Sequence, residues 1–305
     1  MHTLENLETE LLEKIENKNE EFLRLFHGRG GCFEGWEFLT IDSIDSVLSI
    51  AYFNEIDEAL DKALYTLFEK LFKTDAYEAI VLQRRYLPKA PSEVIFGELR
   101  EKLFAIENGL SYKLNLLNNQ NNGFFPDMKI GREFVKEQAQ EKNVLNLFSY
   151  TCAFSVAAYK GGASSVVNVD MSKKVLETGR DNHRLNGVEI RGTRYMPYNI
   201  LKSFARIKKS GSYDLIIIDP PSFQRGSFAA TSDYQKIIRR LPELASEECT
   251  VLSCLNAPNL DSQFIKDLMI EQAPDFKFIK RLENMESFPS KESERALKNL
   301  VFRNF

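Results

Sequence analysis

A run of apolar residues that stops at an acid and two prolines constrains this chain more than any other feature. In Asp214-Leu-Ile-Ile-Ile-Asp219-Pro220-Pro221-Ser222-Phe223, three consecutive isoleucines are typical of a strand buried in a parallel sheet. Proline cannot donate to a strand ladder and restricts the preceding residue to extended geometry, so Asp219 should end the strand. Ligands bind at that end of open α/β sheets. The alternative is a strand followed by an ordinary Pro-Pro loop.

Length and composition bound the class of protein. With 305 residues the chain can form two domains with cores of their own, and its 43% hydrophobic and 28% charged residues are ordinary for a soluble globular protein. No run of about 18 apolar residues occurs, so we expect no membrane span. The net charge of −4 shows no global nucleic-acid signature, so any RNA binding would need a local basic patch.

The amino-terminal sequence and the cysteines predict a cytoplasmic protein. The first residues are acidic rather than basic and then apolar, which is unlike a signal peptide. Four cysteines are scattered without metal-ligand spacing, which suits a reducing compartment and predicts no metal site. They are Cys32, Cys152, Cys249 and Cys254.

Residues 1–115 are predicted to form a small α/β domain with a possible RNA-binding role. Leucines at helical spacing predict an amphipathic helix over residues 4–26, packed on the body or on a partner. A glycine-rich loop follows, which we interpret as a structural turn with Arg24 and Arg29 as candidate contacts to an RNA backbone. Further strands are expected at 47–53 and 79–82, a helix at 56–72 and a hairpin around Asn108-Gly109.

Residues 116–305 are predicted to form a Rossmann-like domain. A polar run at 118–123 marks the junction. Beyond it, strands and helices alternate, which indicates right-handed βαβ units and a parallel sheet. The expected strands are 143–148, 165–170, 194–196, 214–219 and 250–255, followed by two last strands at 276–282 and 297–302.

Two sequence features point to a nucleoside cofactor. The turn after the first of these strands carries small residues around Cys152, which would let a ligand approach backbone N–H groups at a helix start. About 20 residues on, Asp170 ends the next strand, where an acid can accept both hydroxyls of a ribose. The turn has no glycine to accommodate a pyrophosphate, which favours S-adenosylmethionine (SAM) over a dinucleotide. The alternative is that small residues merely let the helix pack on the strand.

Four motifs, in order, resemble those of class I SAM-dependent methyltransferases. They are Asn122–Lys129, Asn146–Phe154, Asn168–Ser172 and Asp219–Phe223. The closest resemblance is to bacterial ribosomal RNA large-subunit base methyltransferases, of the I type and the K module of the K/L type, over residues from about 95 to 305. The N-terminal RNA-binding modules common in those relatives are not recognisable here.

The resemblance implies a set of cofactor contacts. The segment around Asp127 would pack over SAM, the turn before Phe154 would hold its amino-acid portion, Asp170 its ribose, and Asp219 would face the methyl group. The expected cofactor-binding residues are Phe125, Asp127, Lys129, Phe148, Ser149, Tyr150, Thr151, Cys152, Ala153, Asp170, Met171, Ser172, Asn199 and Asp219.

The chain departs from the family pattern at three positions. Arginine often stands where this chain has Lys129, and glycine is frequent in place of Cys152. Many relatives have an acid that touches the adenine amino group where this chain offers Asn199. An asparagine can still hydrogen-bond adenine.

The residues expected at the methyl acceptor leave two chemistries open. In nitrogen methyltransferases, an acid followed by Pro-Pro and an aromatic places oxygens against the nitrogen and stacks the ring on a flipped base, as Asp219, Pro220 and Phe223 could. Cytosine-C5 enzymes instead use a thiolate that attacks ring carbon C6, and Cys254 is the candidate. The alternative for Cys254 is a small buried strand residue.

The sequence therefore predicts a cytoplasmic SAM-dependent methyltransferase that acts on an RNA base. The resemblance favours ribosomal RNA as the substrate. One rival is an enzyme that methylates a small molecule or a protein. A rival of another class is a SAM-binding adaptor without turnover. The oligomeric state is left open.

Overall fold

Two compact units make up the chain. A computed structural model describes residues 2–118, 120–188, 190–221, 223–224 and 228–305. The first unit is Met1–Pro126 with Met285–Lys291, and the second is Asp127–Asn284 with Glu292–Phe305. The predicted boundary at residue 115 lies within the first unit. The linker between the last two strands of the second unit thus supplies a segment to the first.

In its described residues, the first unit has a five-stranded sheet, two helices and a separate hairpin. Its strands pair in the order β1-β2-β3-β4-β5, with β3 and β4 parallel and the other pairs antiparallel. Hairpin β6–β7 forms a sheet of its own. The bounds are α1 Leu4–Glu16, β1 Leu23–His27, β2 Leu39–Ile44, β3 Val47–Tyr52, α2 Glu58–Phe72, β4 Ala79–Arg84, β5 Ser92–Gly97, β6 Leu103–Glu107 and β7 Leu110–Leu114.

Helix α1 is shorter than predicted. Thr3 caps it by accepting the Asn6 N–H, and Leu7, Leu11 and Ile15 bury one face at a spacing of four residues. The predicted helix over residues 4–26 is wrong beyond Glu16, because polar residues follow and residues 23–27 form β1. Strand β1 therefore directly precedes the glycine-rich loop.

The second unit is a seven-stranded sheet with helices on both faces. Its order is β10-β9-β8-β11-β14-β16-β15, and β16 runs antiparallel to its two neighbours. The predicted Rossmann-like class is confirmed. The helices are α3 Lys129–Gln138, α4 Ala153–Lys160, α5 Lys173–Leu185, α6 Phe204–Lys208, α7 Ala230–Ile238, α8 Leu241–Leu244 and α9 Ser262–Gln272. The strands are β8 Asn143–Leu147, β9 Ser165–Asp170, β10 Thr193–Pro197, β11 Tyr213–Ile218, β12 Phe223–Gln224, β13 Phe228–Ala229, β14 Ala245–Leu255, β15 Lys277–Leu282 and β16 Lys298–Arg303.

Alternate residues of the central strands fill two separate cores. On β11, Ile216 and Ile218 pack into one cluster with helices α7 and α9, whereas Leu215 and Ile217 pack into the other with α3 and α4. This alternation follows from the two-residue period of a strand. The same alternation places Asp219, which follows Ile218, on the face of the sheet that α3 and α4 cover.

A buried lysine clamps the loop that follows β14. Lys298 is 0% exposed, and its ammonium donates to the carbonyl oxygens of Ala257 (3.1 Å), Glu294 (2.6 Å) and Ala296 (2.9 Å). All three ammonium protons therefore have an acceptor, which is the condition for burying such a group. The clamp ties the carboxyl end of β14 to the segment entering β16.

Among the described residues, no helix is long and apolar enough to cross a membrane. The same residues contain no group of three or more His, Cys, Asp or Glu side chains arranged to hold a metal ion.

Candidate active site

The strand order places a crevice at the carboxyl ends of β8 and β11. From β8 the chain proceeds to β9 and β10 on one side, and then returns to β11 on the other side. Ligands of open α/β sheets bind at such a switch point. The turn after β8, Asp170 at the end of β9 and Asp219 after β11 all lie at this edge, as the sequence predicted.

The turn after β8 has an unusual backbone. Phe148, Tyr150 and Cys152 have φ angles of 58°, 46° and 63°, in the left-handed region, and none is glycine. Each such residue costs on the order of 1–2 kcal/mol. The left-handed conformation of Cys152 also explains why glycine suits that position. Strain of this kind persists only where surrounding contacts hold the backbone in place.

Asp170 supplies one of the contacts that hold the turn. Its Oδ2 accepts the Tyr150 N–H at 3.0 Å, and its Oδ1 accepts the Ser172 N–H at 2.9 Å. Burial raises the pKa of this carboxyl, while the two N–H donors lower it. Each carboxylate oxygen has a second acceptor position. Asp170 can therefore hold the turn and still accept the two hydroxyls of a ribose.

Helix α5 packs against the turn and holds it through two contacts. The Asn182 amide donates to the Thr151 carbonyl at 2.9 Å. Cys152 is fully buried against Gly179, where an added Cβ would lie 2.4 Å from the Cys152 sulfur. Burial raises the pKa of the Cys152 thiol above its ordinary value. Cys152 thus contributes packing and backbone geometry rather than a reactive sulfur.

A buried polar network beneath the turn was not predicted. Asn146 donates to Asn168 at 3.0 Å, and Asn168 donates to the Ser155 hydroxyl at 3.1 Å. Ser155 lies 2.9 Å from His183 Nε2, and His183 Nδ1 lies 2.7 Å from the Gly179 carbonyl. Since a carbonyl only accepts, Nδ1 carries the proton and Nε2 accepts from Ser155. Burial lowers the pKa of His183, so the ring is neutral.

The network connects two strands and two helices around the β8 turn. Asn146 and Asn168 stand opposite each other on β8 and β9. A signal for them was present in the sequence, because each is a polar residue inside an otherwise apolar strand. Their partners on α4 and α5 depend on packing, which the sequence pattern does not contain.

The predicted adenine contact lies at the ends of β9 and β10. Asn199 Oδ1 accepts the Lys202 N–H at 3.3 Å and caps a short 3₁₀ turn, and its Nδ2 lies 3.7 Å from the Met171 sulfur. Met171 is 46% exposed. The structure thus brings these two predicted cofactor residues together. Asn199 retains one acceptor position on Oδ1 for a nucleobase amino group.

Asp219 lies in a charged cluster on the α3 side of the sheet. Burial, together with the nearby carboxylate of Asp127, raises the pKa of Asp219 to about 7. The buried Arg132 guanidinium acts in the opposite direction. Asp127, predicted to lie near the cofactor, and Asp219, predicted to face the methyl group, are therefore close enough to influence each other. Near neutral pH, Asp219 exists both as carboxylate and as carboxylic acid.

Cys254 is a core residue by its burial. It is 0% exposed and packs with Leu252, Ile217 and Val301. Burial, followed by the carboxylates of Asp219 and Asp127, raises the pKa of its thiol well above the ordinary value. Cys254 thus lies beside Asp219, as predicted, but in surroundings that disfavour a thiolate.

A tyrosine that the sequence did not single out joins the two strands that carry Asp219 and Cys254. The Tyr234 hydroxyl, from α7, lies 2.7 Å from the Ser253 hydroxyl and donates to the Cys254 carbonyl at 2.9 Å. It lies 3.3 Å from the Ile218 carbonyl, just before Asp219. Tyr234 is fully buried. It therefore fixes the carboxyl ends of β11 and β14 relative to each other.

The remaining predicted residues are distributed as follows. The Phe148 ring packs edge-on against Phe228, with centroids 5.0 Å apart. Pro220 is buried, and Lys129 begins α3. Phe125 belongs to the first unit and is 40% exposed. The side chain of Phe223, which was predicted to stack on the acceptor base, lies outside the described part of the structure.

Comparison with known proteins decides the family. The model of the S-adenosylmethionine-dependent methyltransferase family matches residues 23–303. The chain belongs to this family. The predicted family, whose cofactor is SAM, is confirmed.

Curated relatives and a solved structure agree with this membership. The chain is similar to ribosomal RNA large subunit methyltransferase I of Aeromonas salmonicida, with 34% identity over 198 residues, 62% of this chain and 49% of the relative. It is 37% identical over 174 residues to the K/L methyltransferase of Shewanella amazonensis, covering 55% of this chain and 24% of that protein. The chain therefore spans about half the length of the first relative and about a quarter of the second. A solved candidate methyltransferase complexed with SAH has a TM-score of 0.87 and 26% identity, covering 97% of this chain and 80% of that one.

The contact between Gly179 and Cys152 predicts a coupling between α5 and the cofactor turn. Gly179→Ala should force the Cys152 sulfur out of its position and shift the turn, weakening SAM binding by about 1–3 kcal/mol. Titration calorimetry with SAM measures this. In the double variant Cys152→Gly with Gly179→Ala, glycine accepts the positive φ and vacates the space, so affinity should recover. A double variant as weak as the single one would contradict the coupling.

The raised pKa of Asp219 predicts a pH-dependent stability difference. Because this pKa rises from 3.8 to about 7 on folding, the folded state binds more protons between these values, and wild-type stability falls as pH rises through them. Relative to wild type, Asp219→Asn should therefore gain free energy of unfolding from about pH 4 to about pH 7 and level off above. Urea unfolding across this pH range measures the difference.

Asp233 provides a control of opposite sign. Burial tends to raise its pKa, but hydrogen bonds from Lys236 and the Ala229 N–H lower it overall. Relative to wild type, Asp233→Asn should lose stability as pH rises through the acid range. If Asp219→Asn showed that same trend, or no trend, the raised pKa of Asp219 would be refuted.

Proposed function

We propose that this chain is a cytoplasmic methyltransferase that transfers the methyl group of SAM to a base of ribosomal RNA. The observation that carries the proposal is the arrangement of Asp170 and Asp219 on either side of the strained β8 turn, at the switch point of the sheet. The ribosomal RNA acceptor is supported by the names of the curated relatives.

The residues fit SAM by the chemistry of their donors and acceptors. Asp170 has one acceptor position left on each oxygen for ribose hydroxyls, and Asn199 has one for the adenine amino group. The β8 turn contains no glycine-rich cradle for a pyrophosphate. When bound, SAM supplies an already activated methyl group, so the protein contributes chiefly by positioning.

Asp219 would act on the acceptor. As a carboxylate it can accept a hydrogen bond from a base N–H and orient the nitrogen lone pair toward the methyl group. Its position is fixed by the buried Pro220 and by Tyr234, which lies against the preceding carbonyl. Partial burial reduces the contact of the carboxylate with water, which strengthens this hydrogen bond.

The burial of Cys254 favours methylation of a base nitrogen. The thiol is 0% exposed and has two carboxylates nearby, so forming a thiolate there is unfavourable. A ring or amino nitrogen supplies its own lone pair and needs no thiolate. Methylation at cytosine C5 is the second candidate, favoured by the position of Cys254 beside Asp219.

Asp170 and Asp219 form a matched pair for testing these roles. Asp170→Ala should weaken SAM binding by about 1.5–3 kcal/mol, because it removes charge-assisted hydrogen bonds. Asp219→Ala should leave SAM affinity within a few-fold and lower methyl transfer by about 10² or more. Calorimetry with SAM and transfer of labelled methyl groups to ribosomal RNA measure the two effects.

Each outcome of that pair separates the rivals. Unchanged SAM affinity in Asp170→Ala would remove Asp170 from the cofactor site. If wild-type protein labelled a protein or metabolite fraction but not RNA, the RNA acceptor would be wrong. SAM binding without transfer to any fraction would favour an adaptor.

A covalent-trapping experiment decides the acceptor chemistry. With SAM and RNA containing 5-fluorocytidine, a nitrogen methyltransferase should form no adduct that survives a denaturing gel, and Cys254→Ala should keep its methylation activity. Cys254→Ser, with a hydroxyl of similar size, controls for packing. An adduct with wild type that vanishes in both variants would instead establish attack by the thiolate on C6.

A further inference from the structure

Three arginines and two phenylalanines that are not part of the candidate active site meet on the first unit. The arginines are Arg24 on β1, Arg29 in the glycine-rich loop and Arg85 just after β4, and we call them the arginine cluster. The Arg29 guanidinium carbon lies 3.9 Å from the centroid of the Phe53 ring, and that of Arg85 lies 5.2 Å from it. Arg24 lies 4.7 Å from the centroid of the Phe288 ring. Phe53 therefore has two cations stacked over one ring.

Only Arg24 of the cluster has a carboxylate partner within the described residues. Its guanidinium donates to both oxygens of Asp42, with NH2 to Oδ2 at 3.1 Å. It also donates to His27 Nδ1 at 2.8 Å, so this ring carries its proton on Nε2. Burial and the cations Arg24 and Arg29 lower the pKa of His27 to about 3, so His27 adds no charge.

Arg29 and Arg85 thus leave two positive charges without a carboxylate in the described part of the chain. Arg85 donates to the Gln120 carbonyl at 2.9 Å and to Asn121 Oδ1 at 3.2 Å, and both acceptors are neutral. Burial and the neighbouring arginines lower the pKa of Arg29 and of Arg85. Grouping cations in this way is unfavourable unless an anion joins them. The cluster is therefore a local concentration of positive charge in a chain whose net charge is −4.

The loop that carries Arg29 is held by close backbone contacts. A Cβ added at Gly28 would lie 1.8 Å from the Trp36 carbonyl oxygen, and one at Gly30 would lie 1.7 Å from that of Pro289. The Lys291 N–H donates to the Gly30 carbonyl at 2.9 Å. Only glycine permits these approaches. The exposed Arg29 side chain therefore projects from a fixed backbone, which lowers the entropic cost of binding.

We propose that Arg29 and Arg85, stacked on Phe53, form a binding surface for the phosphate backbone of single-stranded RNA. Guanidinium groups match phosphate oxygens with two parallel hydrogen bonds, and stacking on a ring presets their planes. Arg24, already neutralised by Asp42, supports the surface rather than binding the anion. The inference rests on the proposed function, because it identifies where the RNA substrate is held.

The test is the salt dependence of RNA binding. Fluorescence anisotropy with a short labelled single-stranded RNA of mixed sequence, across a KCl series, measures affinity and its salt slope. Arg29→Gln with Arg85→Gln should weaken binding about tenfold or more at low salt and reduce the slope by about 0.7 for each phosphate that the variant no longer neutralises. Arg29→Lys with Arg85→Lys keeps the charges and should retain most of the slope.

Arg100→Gln is the matched control. Arg100 belongs to the same unit but is paired with Glu78 and Asp45, so its replacement should leave RNA affinity and slope unchanged. Unchanged SAM affinity and circular dichroism show that the double variants are folded. Equal RNA binding by wild type and the glutamine variant would overturn the inference, as would wild-type protein without salt-sensitive binding. So would displacement by polyglutamate as effective as by RNA, which would indicate an acidic protein partner.

These outcomes are separable from failure of the proposed function. RNA bound through Arg29 and Arg85 but never methylated would refute the methyltransferase proposal and leave the binding surface standing. RNA methylated equally well by wild type and the glutamine variant would refute the binding surface and leave the methyltransferase proposal standing.

Discussion

The candidate site depends on one carboxylate that accepts two backbone N–H groups. Asp170 bonds Tyr150 in the turn after β8 and Ser172 at the start of α5, and so joins two βα turns. Three non-glycine residues of the first turn are left-handed, which costs roughly several kcal/mol in total. A charge-assisted hydrogen bond offsets part of that cost. The strained turn therefore exists because the acid proposed to bind ribose also stabilises the backbone beside it.

Support for the turn continues into the core through polar contacts. Asn146 and Asn168 place amides in the neighbouring strands β8 and β9, and Asn168 is joined through the Ser155 hydroxyl of α4 to His183 of α5. Breaking one of these buried hydrogen bonds would cost about 1–3 kcal/mol, so the network favours one arrangement of these helices. On the other side of the crevice, Tyr234 does the same for β11 and β14. Hydrogen bonds thus position both walls, and apolar packing supplies the bulk of the stability.

The sequence predicted those features that depend on residues close together in the chain, such as the ends of the central strands. The isoleucine run of β11, ended by Pro220, was enough to place Asp219 at the edge of the sheet, because strand period and proline geometry act within a few residues. The end of α1 at Glu16 was missed, although the polar residues 17–21 interrupt the apolar spacing before β1 begins at Leu23. His183, Tyr234 and the meeting of Arg29 with Arg85 depend on tertiary contacts between distant segments. No single-sequence pattern encodes those contacts.

The order in which the buried acids ionise bears on the chemistry of the site. Asp219 and Cys254 lie on the α3 side of the sheet, and the charge of each disfavours the charge of the other. Asp219, with its pKa at about 7, ionises first, because the thiol pKa is raised well above an ordinary value that is already higher. Once the carboxylate is charged, a thiolate beside it is less favourable still. The carboxylates of Asp219 and Asp127 therefore disfavour a thiolate at Cys254, which favours the proposed role of Asp219 as a hydrogen-bond acceptor for a base nitrogen over a sulfur nucleophile.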